Sequence, residues 1–274
     1  MNRIIGKEYF SDKVVKLVVE NPLIARSRKP GNFVILRVGE DGERFPLTIA
    51  GADPVLGTIT LVVQIMGVSS SKLVALEVGE NITDLVGPLG KPTHIEHIGT
   101  VLAAGGGVGV APMLPIAEAF KKAGNRVISI IAARNKDLII LEEEIRRWSD
   151  EVIVMTDDGS YGRKGLITAG MEEIIKREKI DECIVIGPAI MMKFASILTK
   201  KYNIPTQASL NSIMVDGTGM CGACRVTVGG RTKFTCVDGP EFDAHQVDFD
   251  EMLIRLGGYI QEEKRAAEIY SQKL

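Results

Sequence analysis

The sequence predicts an antiparallel β-barrel, then a parallel α/β sheet, then a small cysteine-bearing unit. Three observations lead to this order. Short alternating apolar runs fill the N-terminal part, strands then alternate with helix-length segments, and three of the four cysteines crowd together after residue 209. We place the domain boundaries at 1–97, 98–208 and 209–250, with a helical tail over 251–274.

Composition excludes several classes of protein. The 274 residues are 45% hydrophobic and 25% charged, which is typical of a soluble globular protein. The net charge of −2 and the absence of a long basic run argue against a nucleic-acid partner. The first ten residues contain no apolar core followed by a small-residue cleavage site, so we expect no signal peptide, and the longest apolar stretch, 101–117, is broken by glycines and prolines. We therefore expect a cytoplasmic protein with no membrane partner.

The N-terminal segment contains short strands separated by Gly, Pro, Asp and Asn. Alternating apolar runs occupy 13–20, 32–39, 46–53 and 58–65. Strands at this spacing predict an antiparallel barrel or sandwich, interrupted by one helix from about Ser70 to Leu76.

The pattern changes after Gly99. Apolar strands that end in glycine or polar residues alternate with helical segments of nine to fourteen residues. This alternation predicts a parallel sheet covered by helices. The predicted strands are 100–107, 126–135, 151–157 and 183–188, and the predicted helices are 111–124, 141–149, 169–179 and 191–202.

The cysteine cluster is the most specific motif. Asp216, Cys221, Cys224 and Cys236 are separated by four, two and eleven residues. Plant-type ferredoxins hold a [2Fe-2S] cluster with C-x4-C-x2-C and a distant fourth cysteine, so Asp216 stands where the first thiolate would be. Three glycines in this run allow sharp turns and let backbone N–H groups point at cluster sulfurs.

Other interpretations of the cysteines remain open. A zinc site formed by three cysteines and one aspartate uses similar spacings, and structural cysteines are a further alternative. The x4, x2 spacing and the glycines favour the [2Fe-2S] cluster. Cys183 begins an apolar strand far from the others, so we interpret it as a small buried hydrophobic residue.

A glycine-rich loop joins the first predicted parallel strand to its helix, which starts near Pro112. Exposed N–H groups at such a turn bind an anion, typically a pyrophosphate. The alternative is a tight turn that needs glycine only for packing, and four glycines in five residues favour the nucleotide site. The loop consists of Gly105, Gly106, Gly107, Val108 and Gly109.

Other strand ends add candidate residues at the same edge, because ligands of open α/β sheets bind outside the carboxyl ends of the strands. Asp157 and Asp158 follow the third parallel strand, and Gly187 and Pro188 follow the fourth. Arg134 ends the second strand, where it either meets the 2′-phosphate of NADP or pairs with Glu142.

Together these features resemble the ferredoxin–NADP reductase superfamily, which joins an FAD-binding barrel to an NAD(P)-binding α/β domain. The cysteine cluster narrows the resemblance to the electron-transfer subunits of class B dihydroorotate dehydrogenases. Aspartate in place of the first cysteine resembles the branch of alpha subunits of NADH-dependent ferredoxin:NADP oxidoreductases, also described as sulfide dehydrogenase subunits. The resemblance covers about residues 1–250.

The resemblance also implies flavin contacts. Thr48 matches a hydroxyl that hydrogen-bonds the flavin ring, whereas Arg44 lies one residue earlier than the family's phosphate-binding arginine and is otherwise a solvated charge. Ser70 is expected to cap a helix that points its N–H groups at the FAD pyrophosphate. The implied flavin residues are Arg44, Pro46, Leu47, Thr48, Gly67, Ser69, Ser70 and Ser71.

The function implied by the resemblance is electron transfer between NAD(H), FAD and a [2Fe-2S] cluster, with NADP(H) as a further alternative. A larger subunit with another FAD and cubane clusters is expected to form a heterodimer with this chain and to reach ferredoxin, in an electron-bifurcating enzyme. The alternatives are a dihydroorotate dehydrogenase electron-transfer subunit and a zinc-bearing nucleotide-binding regulator.

Overall fold

A computed structural model describes residues 2–272. Residues 1, 273 and 274, at the outer ends of the predicted segments 1–97 and 251–274, lie outside the described residues. The strands are β1 (Arg3–Ser11), β2 (Val14–Glu20), β3 (Phe33–Arg37), β4 (Phe45–Asp53), β5 (Thr58–Gln64), β6 (Asp84–Leu89), β7 (Thr100–Gly106), β8 (Arg126–Ala133), β9 (Glu151–Thr156), β10 (Arg163–Lys164), β11 (Glu182–Ile186), β12 (Thr206–Ser209), β13 (Arg225–Val228), β14 (Arg231–Phe234) and β15 (Glu241–Asp243).

Helices cover both sheets, and short 3-10 turns occur at Gly107–Gly109 and Lys136–Leu138. Within residues 2–272, no helix is both long enough and apolar enough to cross a membrane. The helices are α1 (Pro22–Ser27), α2 (Val68–Ala75), α3 (Val110–Lys122), α4 (Glu142–Arg147), α5 (Ile167–Arg177), α6 (Ala189–Lys201), α7 (Thr235–Asp238), α8 (Phe249–Leu256) and α9 (Ile260–Ser271).

The N-terminal strands form a six-stranded antiparallel sheet in the order β1-β2-β5-β4-β3-β6. Alternating side chains point inward, so that Leu17, Leu36 and Leu61 are fully buried in one apolar cluster. A bridge between Arg3 and Asn81 joins the first strand to the chain that leads into β6. The strands follow the predicted alternating runs, and β1 and β6 are strands that the prediction did not include.

Two details of the predicted helices in this segment were wrong. Helix α1 was not predicted, because six residues are too few to show a helical period. It begins where Asn21 Oδ1 accepts a hydrogen bond from the Ile24 amide at 3.1 Å and Pro22 takes the first helical position. Helix α2 begins two residues before the predicted start, at Val68, with Gly67 as its N-cap.

The second sheet has seven strands in the order β10-β9-β8-β7-β11-β12-β15. Strands β7, β8, β9, β11 and β12 are parallel, as the alternation of strands and helices predicted. One face packs against α3 through residues such as Phe120, and the other face packs against α5 and α6. Burial on both faces of the sheet explains why the sequences of the parallel strands are nearly continuous apolar runs.

The C-terminal segment is attached to both sheets. The β13–β14 hairpin carries the cysteine region, while β15 pairs antiparallel with β12 and extends the seven-stranded sheet. The predicted helical tail contains two helices, because Gly257 and Gly258 separate α8 from α9. Helix α9 contacts α2 across the surface and has no buried residue.

A buried junction joins the linker after β6 to β15. The Thr93 hydroxyl donates a 2.7 Å hydrogen bond to Glu241 Oε1, and the Lys91 amide donates to the Gly239 carbonyl at 2.6 Å. Glu241 borders a cavity of about 230 Å³ that Glu182, His94 and Lys91 also line. Burial, together with the neighbouring Glu182 carboxylate, raises the pKa of Glu241 to about 7, although the Thr93 hydroxyl opposes the rise.

Glu241→Gln should therefore change how stability depends on pH. A folded-state pKa of about 7, above the ordinary value of 4.5, means that the folded protein binds this proton more tightly than the unfolded chain. Wild-type stability should fall as pH rises from 4.5 through 7, by on the order of 3 kcal/mol. Glutamine accepts the Thr93 hydrogen bond without a charge, so the variant should lack this loss.

Urea unfolding at pH 5 and pH 8 measures the effect. The exposed Glu262→Gln on α9 is the matched control and should behave like the wild type at both pH values. Equal pH dependence in Glu241→Gln and the wild type would contradict the interpretation of the buried carboxylate.

Candidate functional site

The carboxyl ends of four parallel strands bring the predicted nucleotide-binding loops side by side. The sheet order β9-β8-β7-β11 places the loops after residues 156, 133, 106 and 186 next to one another. In the register, Gly105 pairs with Ile186, Gly106 with Ala132, and Ala133 with Thr156. The structure therefore assembles these candidate residues along one edge, where open α/β sheets bind ligands.

The glycine loop packs tightly against the start of the neighbouring loop. A side chain at Gly109 would collide with backbone atoms, the Ile186 carbonyl oxygen and its carbon at 2.7 Å. A side chain at Gly106 would meet Met191 Sδ and Pro188. Gly107 has φ of +55° and open space around it. Gly106 and Gly109 therefore permit close packing, whereas Gly107 leaves its backbone exposed for a ligand.

The loops after β8 and β9 are joined by backbone and side-chain hydrogen bonds. The Asp158 amide donates to the Arg134 carbonyl at 3.3 Å, and the Lys136 amide donates to Ser160 Oγ at 2.8 Å. The Ser160 hydroxyl and amide lower the pKa of Asp158. Within residues 2–272 Arg134 does not form the alternative ion pair with Glu142, whose carboxylate accepts instead from Arg146, one helical turn away, at 2.6 Å.

The predicted flavin residues lie at the N-terminus of α2 and along β4. Ser70 was expected to be the cap, but it occupies the third helical position, and its hydroxyl accepts from the Gly67 amide at 3.1 Å. This reach back to the N-cap residue satisfies an N–H that the helix leaves unpaired. The Ser71 hydroxyl donates to the Gly67 carbonyl at 2.9 Å, and Ser69 bonds Glu43 at 3.1 Å.

Strand β4 carries the remaining flavin candidates. Pro46, Leu47 and Thr48 are half-buried and pair with Ile35, Val34 and Phe33 of β3. Arg44 precedes this strand and is half exposed, with its guanidinium 3.9 Å from Asp84. Asp84 is held more closely by Arg37, at 2.6 Å. Arg44 is therefore only loosely paired with Asp84.

Two of the predicted cluster thiols are in direct contact. Cys224 Sγ lies 3.2 Å from Cys236 Sγ, and both residues are buried without a disulfide. Burial and the Cys224 thiol raise the pKa of Cys236 to about 12, and the Gly219 amide opposes this shift.

Asp216 is held at the start of the same loop, which we call the cysteine loop (216–224). Its Oδ1 accepts from the Thr218 amide at 2.8 Å, and its Oδ2 accepts from the Cys221 amide at 2.9 Å. The Thr218 amide and then the Cys221 amide lower the pKa of Asp216. The carboxylate therefore stays ionised at neutral pH, as a metal ligand requires.

The structure does not gather all four candidate ligands. Cys221 is exposed, and within residues 2–272 no three His, Cys, Asp or Glu side chains form a group that could hold a metal ion. The donor set nevertheless fits an iron–sulfur cluster: three free thiols, one ionised carboxylate, and three glycines with positive φ at Gly217, Gly219 and Gly222.

An apolar shell surrounds the buried thiols. Phe33, Ile35 and Leu89 of the six-stranded sheet pack against Met214, Cys224 and Cys236. A hydrophobic shell of this kind limits solvent access to a metal site and affects its reduction potential.

Cys183, the cysteine outside the cluster, matches its sequence interpretation, and the histidines lie apart from the cluster residues. Cys183 is fully buried in the seven-stranded sheet's apolar core, and burial raises its pKa. His94 is mostly exposed, and His245 Nε2 bonds the Thr199 hydroxyl at 3.0 Å. The three histidines do not join a common site in the part of the chain that the structure describes.

Sequence reasoning missed a residue that reaches the site from elsewhere in the chain. Arg255 reaches the cysteine loop from a helix 32 positions away in the chain. No local spacing connects such a residue with the motif that it contacts, so only the folded structure identifies it.

Two family models match the chain. The iron–sulfur cluster binding domain of dihydroorotate dehydrogenase B matches residues 211–248, and the oxidoreductase NAD-binding domain matches residues 104–196. The first range contains Asp216 and the three clustered cysteines. The second contains the glycine loop and the three neighbouring strand ends, so one match falls on the candidate cluster residues and the other on the assembled strand-end loops.

Relatives and a solved structure are similar along nearly the whole chain. A "dihydroorotate dehydrogenase B (NAD(+)), electron transfer subunit homolog" of Thermotoga maritima is 46% identical over 96% of this chain and 93% of its own. A "probable" electron transfer subunit of the same enzyme from Methanocaldococcus jannaschii is 36% identical over 81% of each chain. A chain of the NADH-dependent reduced ferredoxin-NADP oxidoreductase structure is 44% identical, with a TM-score of 0.94 over 98% of each chain.

Gly109→Ala should damage the nucleotide-binding edge. The added methyl group would overlap the backbone of Ile186 and Gly187, which cannot rotate away as a flexible side chain can. We expect affinity for NADH to fall by about tenfold or more, because a displaced loop misplaces its N–H groups.

Fluorescence titration with NADH measures this affinity. Gly51→Ala is the control, since its methyl group would meet only Thr60 at an ordinary 3.5 Å. If Gly109→Ala binds NADH as tightly as the control, the close approach of Gly109 to the backbone of Ile186 and Gly187 is not needed for nucleotide binding.

Proposed function

This chain belongs to the family of dihydroorotate dehydrogenase B electron-transfer subunits, and we propose that it works in an electron-bifurcating NADH-dependent ferredoxin:NADP oxidoreductase. It carries an oxidoreductase NAD-binding domain and an iron–sulfur binding domain. In this proposal it transfers electrons between NAD(H), FAD and a [2Fe-2S] cluster.

Asp216 is the observation that carries the proposal. Its position before Cys221, Cys224 and Cys236 resembles the ferredoxin:NADP oxidoreductase branch, in which aspartate replaces the first cysteine. The end-to-end similarity to a chain of an NADH-dependent reduced ferredoxin-NADP oxidoreductase supports the same assignment.

We propose that residues 1–97 are the FAD-binding barrel. In addition to its six paired strands, this segment has an isolated bridge between Arg3, in β1, and Asn81, shortly before β6. Thr48 would present its hydroxyl to the flavin ring from β4. The N-terminus of α2, with Ser69, Ser70 and Ser71 in its first turn, would place N–H groups and its positive dipole end toward the FAD pyrophosphate. Arg44 would supply a positive charge to the same phosphates.

Residues 98–208 would hold the nicotinamide nucleotide at the edge built by Gly105–Gly109, Asp157, Asp158, Gly187 and Pro188. The exposed backbone at Gly107 would approach the pyrophosphate, because no side chain fills the space there. Arg134 would bind the adenosine end. NAD(H) is the proposed nucleotide, since the similar structure is that of an NADH-dependent enzyme.

Residues 209–250 would hold the cluster on Asp216, Cys221, Cys224 and Cys236. When bound, the nicotinamide and flavin exchange a hydride and the cluster exchanges single electrons, chemistry that belongs to the cofactors. The protein's part is to orient the groups and exclude water. Phe33, Ile35 and Leu89 cover the thiols, and Cys221 faces the solvent, where a partner can approach.

The proposed partner is a larger flavin and iron–sulfur subunit that forms a heterodimer with this chain and connects it to ferredoxin. A dihydroorotate dehydrogenase electron-transfer subunit is the second candidate function, because the relatives from Thermotoga maritima and Methanocaldococcus jannaschii carry that name. The two candidates differ in the subunit that accompanies the chain.

Anaerobic purification of the native complex tests the assignment. We expect a large iron–sulfur flavoprotein to co-purify, together with flavin, iron and acid-labile sulfide. Co-purification of an FMN enzyme that oxidises dihydroorotate would support the second candidate. A colourless complex that contains zinc and no flavin would contradict both.

Substitution of Asp216 tests the cluster ligands. Asp216→Cys should retain iron and shift the cluster's midpoint potential, because sulfur is a softer ligand than a carboxylate oxygen. Asp216→Ala should lose most of the bound iron, since it removes an anionic ligand and its two amide contacts. Asp243→Ala, a carboxylate outside the loop, is the control.

Iron analysis and a redox titration of each variant give the result. Full iron content and an unchanged midpoint in both Asp216 variants would remove Asp216 from the ligand set.

A further inference from the structure

Two arginines hold the backbone between Cys221 and Cys224. Gly222 and Ala223 are the residues that separate these cysteines. Arg225 Nη1 donates to the Gly222 carbonyl at 3.1 Å, and Arg255 Nη2 donates to the Ala223 carbonyl at 3.2 Å. Each carbonyl of this dipeptide therefore faces a guanidinium group.

Arg255 is placed by the fold rather than by the loop. It lies in the last turn of α8, whose N-terminus is capped where Asp248 Oδ1 accepts from the Glu251 amide at 2.9 Å. Met252 of the same helix is buried in the core of the seven-stranded sheet. The helix therefore brings the charge of Arg255 to the cysteine loop from a fixed support.

The two positive charges are not cancelled by neighbouring acids. Across residues 2–272, neither Arg225 nor Arg255 forms an ion pair, and their contacts with the loop are to neutral carbonyl groups. Arg255 is half-buried, which weakens the screening of its charge by water. Arg225 is exposed, so its effect should be smaller.

We propose that Arg225 and Arg255 are positioning residues whose charges raise the reduction potential of the cluster at Asp216, Cys221, Cys224 and Cys236. The inference rests on the proposed function, because it requires that cluster. Three thiolates and one carboxylate give the site four negative ligand charges. One added electron makes the site more negative, and nearby positive charge stabilises the reduced form more than the oxidised form.

The redox step concerned is the one-electron reduction of the cluster. One electron, derived from NADH through the flavin, enters the cluster and converts one ferric iron to ferrous iron. No bond forms or breaks, and no proton is required. The arginines act only on the equilibrium of this transfer, through their charge.

Two variants of Arg255 separate its charge from its packing. Arg255→Met keeps the stem of the side chain and removes the charge, whereas Arg255→Lys keeps the charge and loses the planar fork. At a fixed potential we expect Arg255→Met to lower the ratio of reduced to oxidised cluster about threefold to tenfold. A tenfold change corresponds to 59 mV for a one-electron couple. Arg255→Lys should stay close to the wild type.

The measurement is a potentiometric titration of the reconstituted full chain, followed by electron paramagnetic resonance of the reduced cluster. Arg225→Met should shift the midpoint in the same direction by less. Arg231→Gln is the matched control, because it removes an exposed arginine at the far end of the same hairpin. Its midpoint should equal that of the wild type.

Iron and sulfide analysis precedes each titration. It distinguishes failure of the proposed function from failure of the inference about Arg225 and Arg255. Absence of iron and sulfide in the wild type would overturn the proposed function itself. With the cluster present, an unchanged midpoint in Arg255→Met would overturn the inference. Equal shifts in Arg255→Met and Arg255→Lys would also overturn it, because the fork rather than the charge would then be responsible.

Discussion

The close contact between Gly217 and the six-stranded sheet is the constraint on which the site depends. A side chain at this position would lie 2.6 Å from Leu89 Cδ1 and 2.9 Å from Ile35 Cδ1, and the residue has φ of +77°. Only glycine has no Cβ to make these close contacts and also adopts a positive φ without strain. Its contact lets the cysteine loop lie on the outside of β3 and β6, so that Cys224 and Cys236 share an apolar shell with residues of the sheet.

A similar requirement shapes the nucleotide-binding edge. Gly109 approaches the backbone at the end of β11, and Gly106 approaches Met191 at the start of α6. These contacts join two crossover connections of the parallel sheet, so the loops that follow β7 and β11 hold each other in place. Small residues thus set the geometry at both sites, and the larger apolar side chains of the sheets supply the rigid support beneath them.

The sequence predicted those features that depend on local pattern. Alternating runs identified most strands, strand–helix alternation identified the parallel sheet, and the spacing of Cys221, Cys224 and Cys236 predicted the iron–sulfur binding domain that the family model matches at residues 211–248. Helix α1 was missed because its signal is a cap and one proline rather than a period. The contacts of Glu241 with Thr93 and of Arg255 with Ala223 join residues 148 and 32 positions apart, and no local pattern records such pairs.

The hydrogen bonds of Asp216 are compatible with its proposed role as a ligand. A carboxylate has about four lone-pair sites, and the Thr218 and Cys221 amides use one on each oxygen. Lone pairs therefore remain for a metal on either oxygen. The same amides orient the carboxylate and keep it ionised. Hydrogen bonds from outside the ligand set orient the ligands of metal sites in the same way. Cysteine has a single sulfur acceptor, so it could not receive the Thr218 and Cys221 amides on two separate atoms as this carboxylate does.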